Sequence, residues 1–273
     1  MDVIIFLLPV FAAGLVIAGL HVYMGIHIVA RGVIFVDLAL AQTAALGTTV
    51  GILFGLDPHS GSIFWWSLGF AWLGAIVLTL TRTKESKVPQ EAFIGIVFVV
   101  TSAISILILT QTPHGSEQLR YMLVGNILTV TWPQILKVAL VYLALGGFHW
   151  VFRDRFQLVS FAPKQAAEKN LSLRVWDLAF YISLGIMVTA SVPIAGVLLV
   201  FSYLVIPAVC AMLFAERTVA RLLLGWGLGT LVSMAGVAAS YFLDLPTGAT
   251  IVVTFGAALL ICVVIKQLFF GEK

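Results

Sequence analysis

The sequence predicts an all-α, polytopic membrane protein of about 8–9 transmembrane helices, with short helices between some of the spans. Three observations carry this expectation. Of the 273 residues, 61% are hydrophobic and 10% charged, too few charges to cover a soluble surface of that size. Apolar runs of about 20 residues recur along the chain, each long enough to cross a hydrocarbon core of roughly 30 Å. The basic residues collect in alternate connections between those runs, as membrane insertion requires.

In order, the runs are 3–20, 32–55, 64–81, 92–111, 133–152, 178–194, 196–215, 220–241 and 249–268. The first opens Met-Asp-Val-Ile, without a basic region or a cleavage site, so it is expected to be retained. With the N-terminus outside, the inside connections hold Arg31, Arg82, Lys84, Lys87, Arg153, Arg155, Lys164, Lys169, Arg174, Arg217, Arg221, Lys266 and Lys273. That is 13 of the 15 basic residues, leaving Arg120 outside and Lys137 near the outer start of a span. The asymmetry predicts N-terminus out and C-terminus in, with residues 1–273 forming one transmembrane domain.

Three features interrupt the simple hairpins. Residues 121–130 are apolar but too short to span, and Trp132-Pro133 follows, which suits a re-entrant or interfacial helix on the outer side. Ser191-Val-Pro193 divides a long apolar stretch, and Pro207 lies in its second half. These prolines predict a discontinuous helix or a plain kink. The third feature is a short helix in the longest inside connection, 153–177. There Pro163 suits a first turn, 165–169 are good helix formers, and Asn170 suits a left-handed stop. Flanked by Phe161 and Leu171, this helix reads either as a peg for a soluble partner or as a basic loop against anionic headgroups.

Among the 12 acidic residues, Asp37 alone falls well inside a predicted span. An ionised carboxylate at a helix centre costs roughly 2.5–3.5 kcal/mol on insertion scales, so such residues face a cavity or a partner. At about 100° per residue, Asp37, Ala41, Ala44, Thr48, Gly51 and Gly55 fall within about 40° of one line. A stripe of small residues with one acid and one hydroxyl either packs on another helix or lines a passage. Gln42 and Thr49 share a second face, about 120–140° from Asp37. Asp37, Gln42 and Thr48 are therefore the candidate pathway residues, and Asp37 the candidate metal contact.

Other chemistry is sparse. No GxxxxGK[ST], HExxH or Ser/His/Asp pattern is present, so neither catalysis by this chain nor nucleic-acid binding is expected. His21, His27, His59, His114 and His149 are scattered near the ends of the runs. His114 and Glu117, three apart in an outer loop, form a candidate external mouth for a cation or a solvated polar surface. Cys210 and Cys262 lie inside apolar runs without CxxC spacing, as packing residues do.

Four stretches resemble one family, the integral membrane permeases of bacterial ABC importers for zinc, manganese and iron. Gly25-Ile-His-Ile-Val-Ala-Arg-Gly-Val-Ile-Phe-Val-Asp37 is similar to that family's entry into its second span. Tyr121-Met-Leu-Val-Gly-Asn-Ile-Leu-Thr-Val-Thr131 is similar to its Leu-Phe-Gly-x-Ile-Leu segment. Ile194-Ala-Gly-Val-Leu-Leu-Val-Phe-Ser-Tyr-Leu-Val-Ile-Pro-Ala208 resembles its Gly-Val-Leu-Leu…Ile-Pro-Ala run, and Asp244-Leu-Pro-Thr-Gly248 its signature before the last span. The resemblance implies a permease homodimer in the bacterial inner membrane, with two cytoplasmic ATPases and an extracytoplasmic solute-binding protein. The chain itself would hold no cofactor; zinc, manganese or iron would be its cargo.

Residues 161–173 occupy the place of the coupling helix that docks into the ATPase, which assigns that contact to Phe161, Pro163, Ala166, Ala167 and Leu171. Two positions depart from the pattern. Ala41 stands where the family commonly has a His four residues after the Asp, and the nearest polar residue is Gln42. The coupling segment opens Ala162-Pro163-Lys164-Gln165, without the usual acidic residues. Carboxylate and amide oxygens do not favour zinc over manganese or iron. The competing expectation is a secondary transporter that couples protons through Asp37, although no inverted repeat is visible.

Overall fold

The computed structural model describes residues 2–57, 60–82, 88–112 and 115–270, and among them there is no strand. The helices are α1 (Asp2–Arg31), α2 (Val36–Leu53), α3 (Gly61–Leu80), α4 (Gln90–Leu109), α5 (Gly115–Val124) and α6 (Trp132–Val151). There follow α7 (Arg153–Phe161), α8 (Pro163–Glu168), α9 (Leu173–Phe214), α10 (Thr218–Leu243) and α11 (Thr247–Phe270). A single 3₁₀ turn, Ile127–Thr129, lies between α5 and α6. Among the described residues, α1, α2, α3, α4, α6, α9, α10 and α11 are long and apolar enough to cross a membrane.

Helix α9 has 42 residues, which as one straight rod would be about 63 Å long, twice the thickness it has to cross. It is broken at Gly196, whose φ of 76° and ψ of 158° are open to glycine alone. The two apolar runs on either side of residue 195 are therefore separate helical halves. The break falls three residues beyond Pro193, and Pro207 lies in unbroken helix. A proline in a helix forfeits one hydrogen bond, whereas a positive φ reverses the backbone, so the glycine sets the break.

Two further boundaries differ from the sequence reading. Helix α1 continues past residue 20 to Arg31 and takes in His21 and His27, both fully buried. The His21 imidazole bonds the Ile17 carbonyl at 2.9 Å, a partner that lies within its own helix. Helix α2 starts at Val36, after a turn in which Gly32 has φ 67°. Asp37 thus lies in the first turn of a helix and not deep within one. The short helix α5 starts earlier than expected and stops at Val124, because Gly125 has φ 63°.

The chain forms two compact units. Unit 1 comprises Met1–Val29, Val124–Tyr142 and Ile194–Lys273, and its centre is the second half of α9. A β-carbon on Gly25 of α1 would sit 1.8 Å from the Leu204 carbonyl oxygen, so α1 meets α9 backbone to backbone. Val22, Ile26 and Ala208 form the buried cluster beside that contact, with Leu222 of α10 against it. Tyr203 donates its bulk to α11 through an edge-on contact with Phe255 at 5.1 Å, and Ser233 of α10 donates to the Tyr203 hydroxyl at 2.7 Å. Cys210 and Cys262, both buried, bring their thiols into contact in this unit without a disulfide.

Unit 2 comprises Ala30–Leu123 and Leu143–Pro193. At its centre is α2, buried along most of its length and packed on α3 and α4. Small residues permit this approach. A β-carbon on Gly47 would meet the Trp66 carbonyl at 2.6 Å, and one on Gly74 would meet the Thr43 hydroxyl at 2.7 Å.

Candidate functional site at the start of the second helix

The turn between α1 and α2 is anchored by Val33 and Val36, both buried. Phe35, the residue before the helix, offers no side-chain cap. The exposed amides are served from elsewhere: the Glu91 carboxylate of α4 accepts hydrogen bonds from the Ile34 and Phe35 N–H groups. Asp37 comes next, and as an acid in the first turn it gains from the helix dipole, about 0.3–1 kcal/mol.

That gain does not satisfy it. Asp37 is 0% exposed, and among the described residues neither carboxylate oxygen has a hydrogen-bond partner. Leaving such a group unpaired costs at least about 1–3 kcal/mol, and more for a charge. Unit 2 holds a second acid equally buried, Asp177 in α9, and the comparison is informative. Asp177 bonds Arg31 at 2.6 Å through one oxygen and Arg82 through the other. One buried acid is paired through both oxygens, and the other has no hydrogen-bond partner among the described residues.

The small-residue stripe divides along its length. Gly51 packs toward Ile63 and Trp66 of α3, and the Thr48 hydroxyl bonds Ser67 of α3 at 2.5 Å. Gly55 lies beyond the helix end, exposed, with φ 82°. The far half of the stripe is thus a helix-packing surface, which engages the Thr48 hydroxyl. Ala41 and Ala44 are buried one and two turns from Asp37, and Gln42 is buried at 7% exposure. Among the described residues, no three His, Cys, Asp or Glu side chains gather to hold a metal. Of the pair expected at the outer mouth, Glu117 is exposed in the first turn of α5, and His114 lies outside the described residues.

The 161–173 segment forms the short helix that the sequence predicts. Pro163 opens α8, and Asn170 stops it with φ 56°. The Leu171 N–H closes on the Ala166 carbonyl at 3.0 Å. Phe161, Pro163 and Ala167 are exposed and Leu171 is half-buried, but Ala166 is fully buried. Ala166 therefore holds the short helix in place, while Phe161, Pro163 and Ala167 make up its outward surface. Behind it, Phe156 of α7 stacks on His149 at 4.0 Å and meets Trp176 edge-on at 5.2 Å.

The remaining motifs meet one another in unit 1. Gly125 would place a β-carbon 2.3 Å from the Gly196 amide nitrogen, and Gly248 would place one 3.1 Å from the Val124 carbonyl. The Asn126 N–H bonds the Ile194 carbonyl at 3.2 Å, satisfying a group that the break in α9 sets free. In unit 2 the Tyr121 hydroxyl does the same for the Pro193 carbonyl at 2.9 Å. The three glycine-bearing stretches owe their sequences to this close backbone packing. The buried charges escaped sequence reading, because Arg31 and Asp177 are separated by 146 residues and Arg82 and Asp177 by 95.

Comparison with known proteins agrees with this architecture. The model of the ABC 3 transport family matches residues 4–266. The manganese import system permease protein ScaB of Streptococcus gordonii is 25% identical over 256 residues, which is 92% of this chain and 88% of that protein. A Haemophilus influenzae protein named "Probable iron transport system membrane protein" is 25% identical over 236 residues, 86% of this chain and 81% of its own. In structure, the chain superposes on PsaBC from Streptococcus pneumoniae in complex with Fab with a TM-score of 0.79 at 23% identity, covering 94% of this chain and 90% of that one. Matched over nearly its whole length, and with eight helices long and apolar enough to span a membrane among its described residues, the chain belongs to the ABC 3 transport family.

Proposed function

We propose that this chain is the membrane subunit of a bacterial importer that carries a divalent transition-metal cation, zinc, manganese or iron, inward across the inner membrane. ATP hydrolysed on separate cytoplasmic subunits drives the cycle. The observation that carries this reading is Asp37, fully buried with both carboxylate oxygens unpartnered, in a chain of a metal-permease family. A carboxylate of this kind offsets part of the dehydration cost of a passing cation without forming a closed trap. Gln42, buried five residues on and on a second face of the helix, offers an amide oxygen where Ala41 leaves no imidazole. Oxygen ligands suit manganese or iron at least as well as zinc.

The partners follow from the same reading: a second permease copy, a cytoplasmic ATPase pair seated on 161–173, and an extracytoplasmic binding protein that delivers the cation. The N-terminus is outside and the C-terminus cytoplasmic. Two groupings support that orientation. Arg31, Arg82, Ser160 and Asp177 meet in unit 2, and all come from inside connections or their edges. Gly125, Gly196 and Gly248 meet in unit 1 through their neighbours, and all come from outer ones.

Reconstitution with the co-expressed ATPase in proteoliposomes tests the proposal. ATP-dependent manganese uptake is expected, and Asp37→Asn should lower it at least about ten-fold while the ATPase still co-purifies. Uptake driven by a proton gradient without the ATPase would establish a secondary transporter instead.

A further inference from the structure

Between the 161–173 segment and the start of α2, unit 2 contains a buried charged knot that cation passage does not itself require. Arg31 donates from Nη1 to Asp177 at 2.6 Å and from Nε to the Ser160 hydroxyl at 2.9 Å. Arg82 takes the second Asp177 oxygen. The Arg31 guanidinium also lies over the Phe180 ring at 4.1 Å. We infer that Asp177, clamped by Arg31 and Arg82, is a positioning residue that carries movement of the 161–173 segment to the turn preceding Asp37. The inference rests on the ATP-driven reading given above.

The mechanical argument starts at the peg. Ala162 is at once the end of α7 and the start of α8, and the Leu171 N–H bond to Ala166 ties the exit of α8 back onto it. Helix α8 cannot shift without carrying both α7 and the start of α9. Those two are joined by the Phe156 ring, which packs edge to face on Trp176 and at a tilt against Phe180. Ser160 on α7 and Asp177 on α9 then hold the two ends of one planar guanidinium, whose fork fixes direction as well as distance.

On the far side the connection is short. Arg31 is the last residue of α1, and Asp37 follows six positions later, through a turn held by the Val36 N–H bond to Val33 at 3.2 Å. Glu91 holds the same turn from α4, and the neighbouring Gln90 bonds Tyr181, one helical turn beyond Asp177. A single packed network thus runs from the peg to the carboxylate. Stability alone does not account for the charges, since apolar side chains of equal volume often hold helices together as well as a buried ion pair does. What the charges add is a fixed geometry between elements far apart in sequence.

The test uses the permease–ATPase complex in proteoliposomes, with manganese as the transported probe, and compares Asp177→Asn, Arg31→Gln and Arg82→Gln with the unaltered chain. The variants are expected to co-purify with the ATPase and to hydrolyse ATP, while manganese moved per ATP falls about five- to ten-fold. A purely structural role would lower assembly and leave that ratio unchanged in whatever assembles. An unchanged ratio in assembled variants overturns the inference. If Asp177→Asn does not assemble, Arg82→Gln decides alone, because the Arg82 side chain is 27% exposed and its loss leaves the Arg31 pair intact. Absence of ATP-driven uptake by the unaltered complex would overturn the functional reading itself, and this inference with it.

Discussion

At the scale of single residues, the decisive contrast is between two acids of equal burial and opposite circumstance. Asp177 is paired with two guanidinium groups and, among the described residues, Asp37 with none. An unpaired buried carboxylate destabilises the fold that contains it, so Asp37→Ala should raise thermal stability, by about 1–3 kcal/mol, while abolishing uptake. Differential scanning fluorimetry of the purified protein, set beside manganese uptake, checks both halves; loss of stability on removal would mean that the carboxylate is a structural group. A second pair of residues separates docking from folding. Ala167 is exposed on α8 and Ala166 is fully buried. Ala167→Asp is expected to reduce co-purification of the ATPase and uptake together at an unchanged melting temperature. Ala166→Asp buries an unpaired carboxylate and should lower the melting temperature as well.

At the scale of elements, the break in α9 is set by a glycine conformation and capped by its neighbours. Asn126 and Tyr121 take the carbonyls of Ile194 and Pro193, so the discontinuity leaves those groups satisfied. A side chain at Gly196 would be strained by the positive φ and would meet the Val124 carbonyl carbon at 2.3 Å. Gly196→Ala should therefore destabilise by at least about 2 kcal/mol. Gly227→Ala in α10, where a β-carbon meets nothing within 4 Å, should be neutral or slightly stabilising. Thermal melts of the two variants in one detergent provide the comparison. The sequence signals both the apolar stretch and its interruption, but it draws attention to Pro193 because proline is the more conspicuous residue. The backbone geometry favours the glycine, for only there does φ turn positive.

At the scale of the whole molecule, orientation is the testable quantity. Glu117 and Ser172 are both exposed and belong to connections expected on opposite sides. In a background without Cys210 and Cys262, Glu117→Cys should react with an impermeant thiol reagent added to intact cells, and Ser172→Cys only after the membrane is opened. Labelling of Ser172→Cys from outside would reverse the map. The sequence by itself determined the membrane class, nearly every span, the short helix of 163–168 with its proline start and asparagine stop, and the family motifs. Each of these depends on local composition or on a few adjacent residues: apolar length, charge bias and turn chemistry are all written in continuous stretches. Tertiary structure alone decided that Asp37 opens a helix and stays unpaired, and that Thr48 is engaged by Ser67. It alone decided too that Asp177 is buried between arginines 146 and 95 residues away. Those outcomes turn on which distant groups meet in a medium without water, and no local pattern in the chain encodes that meeting.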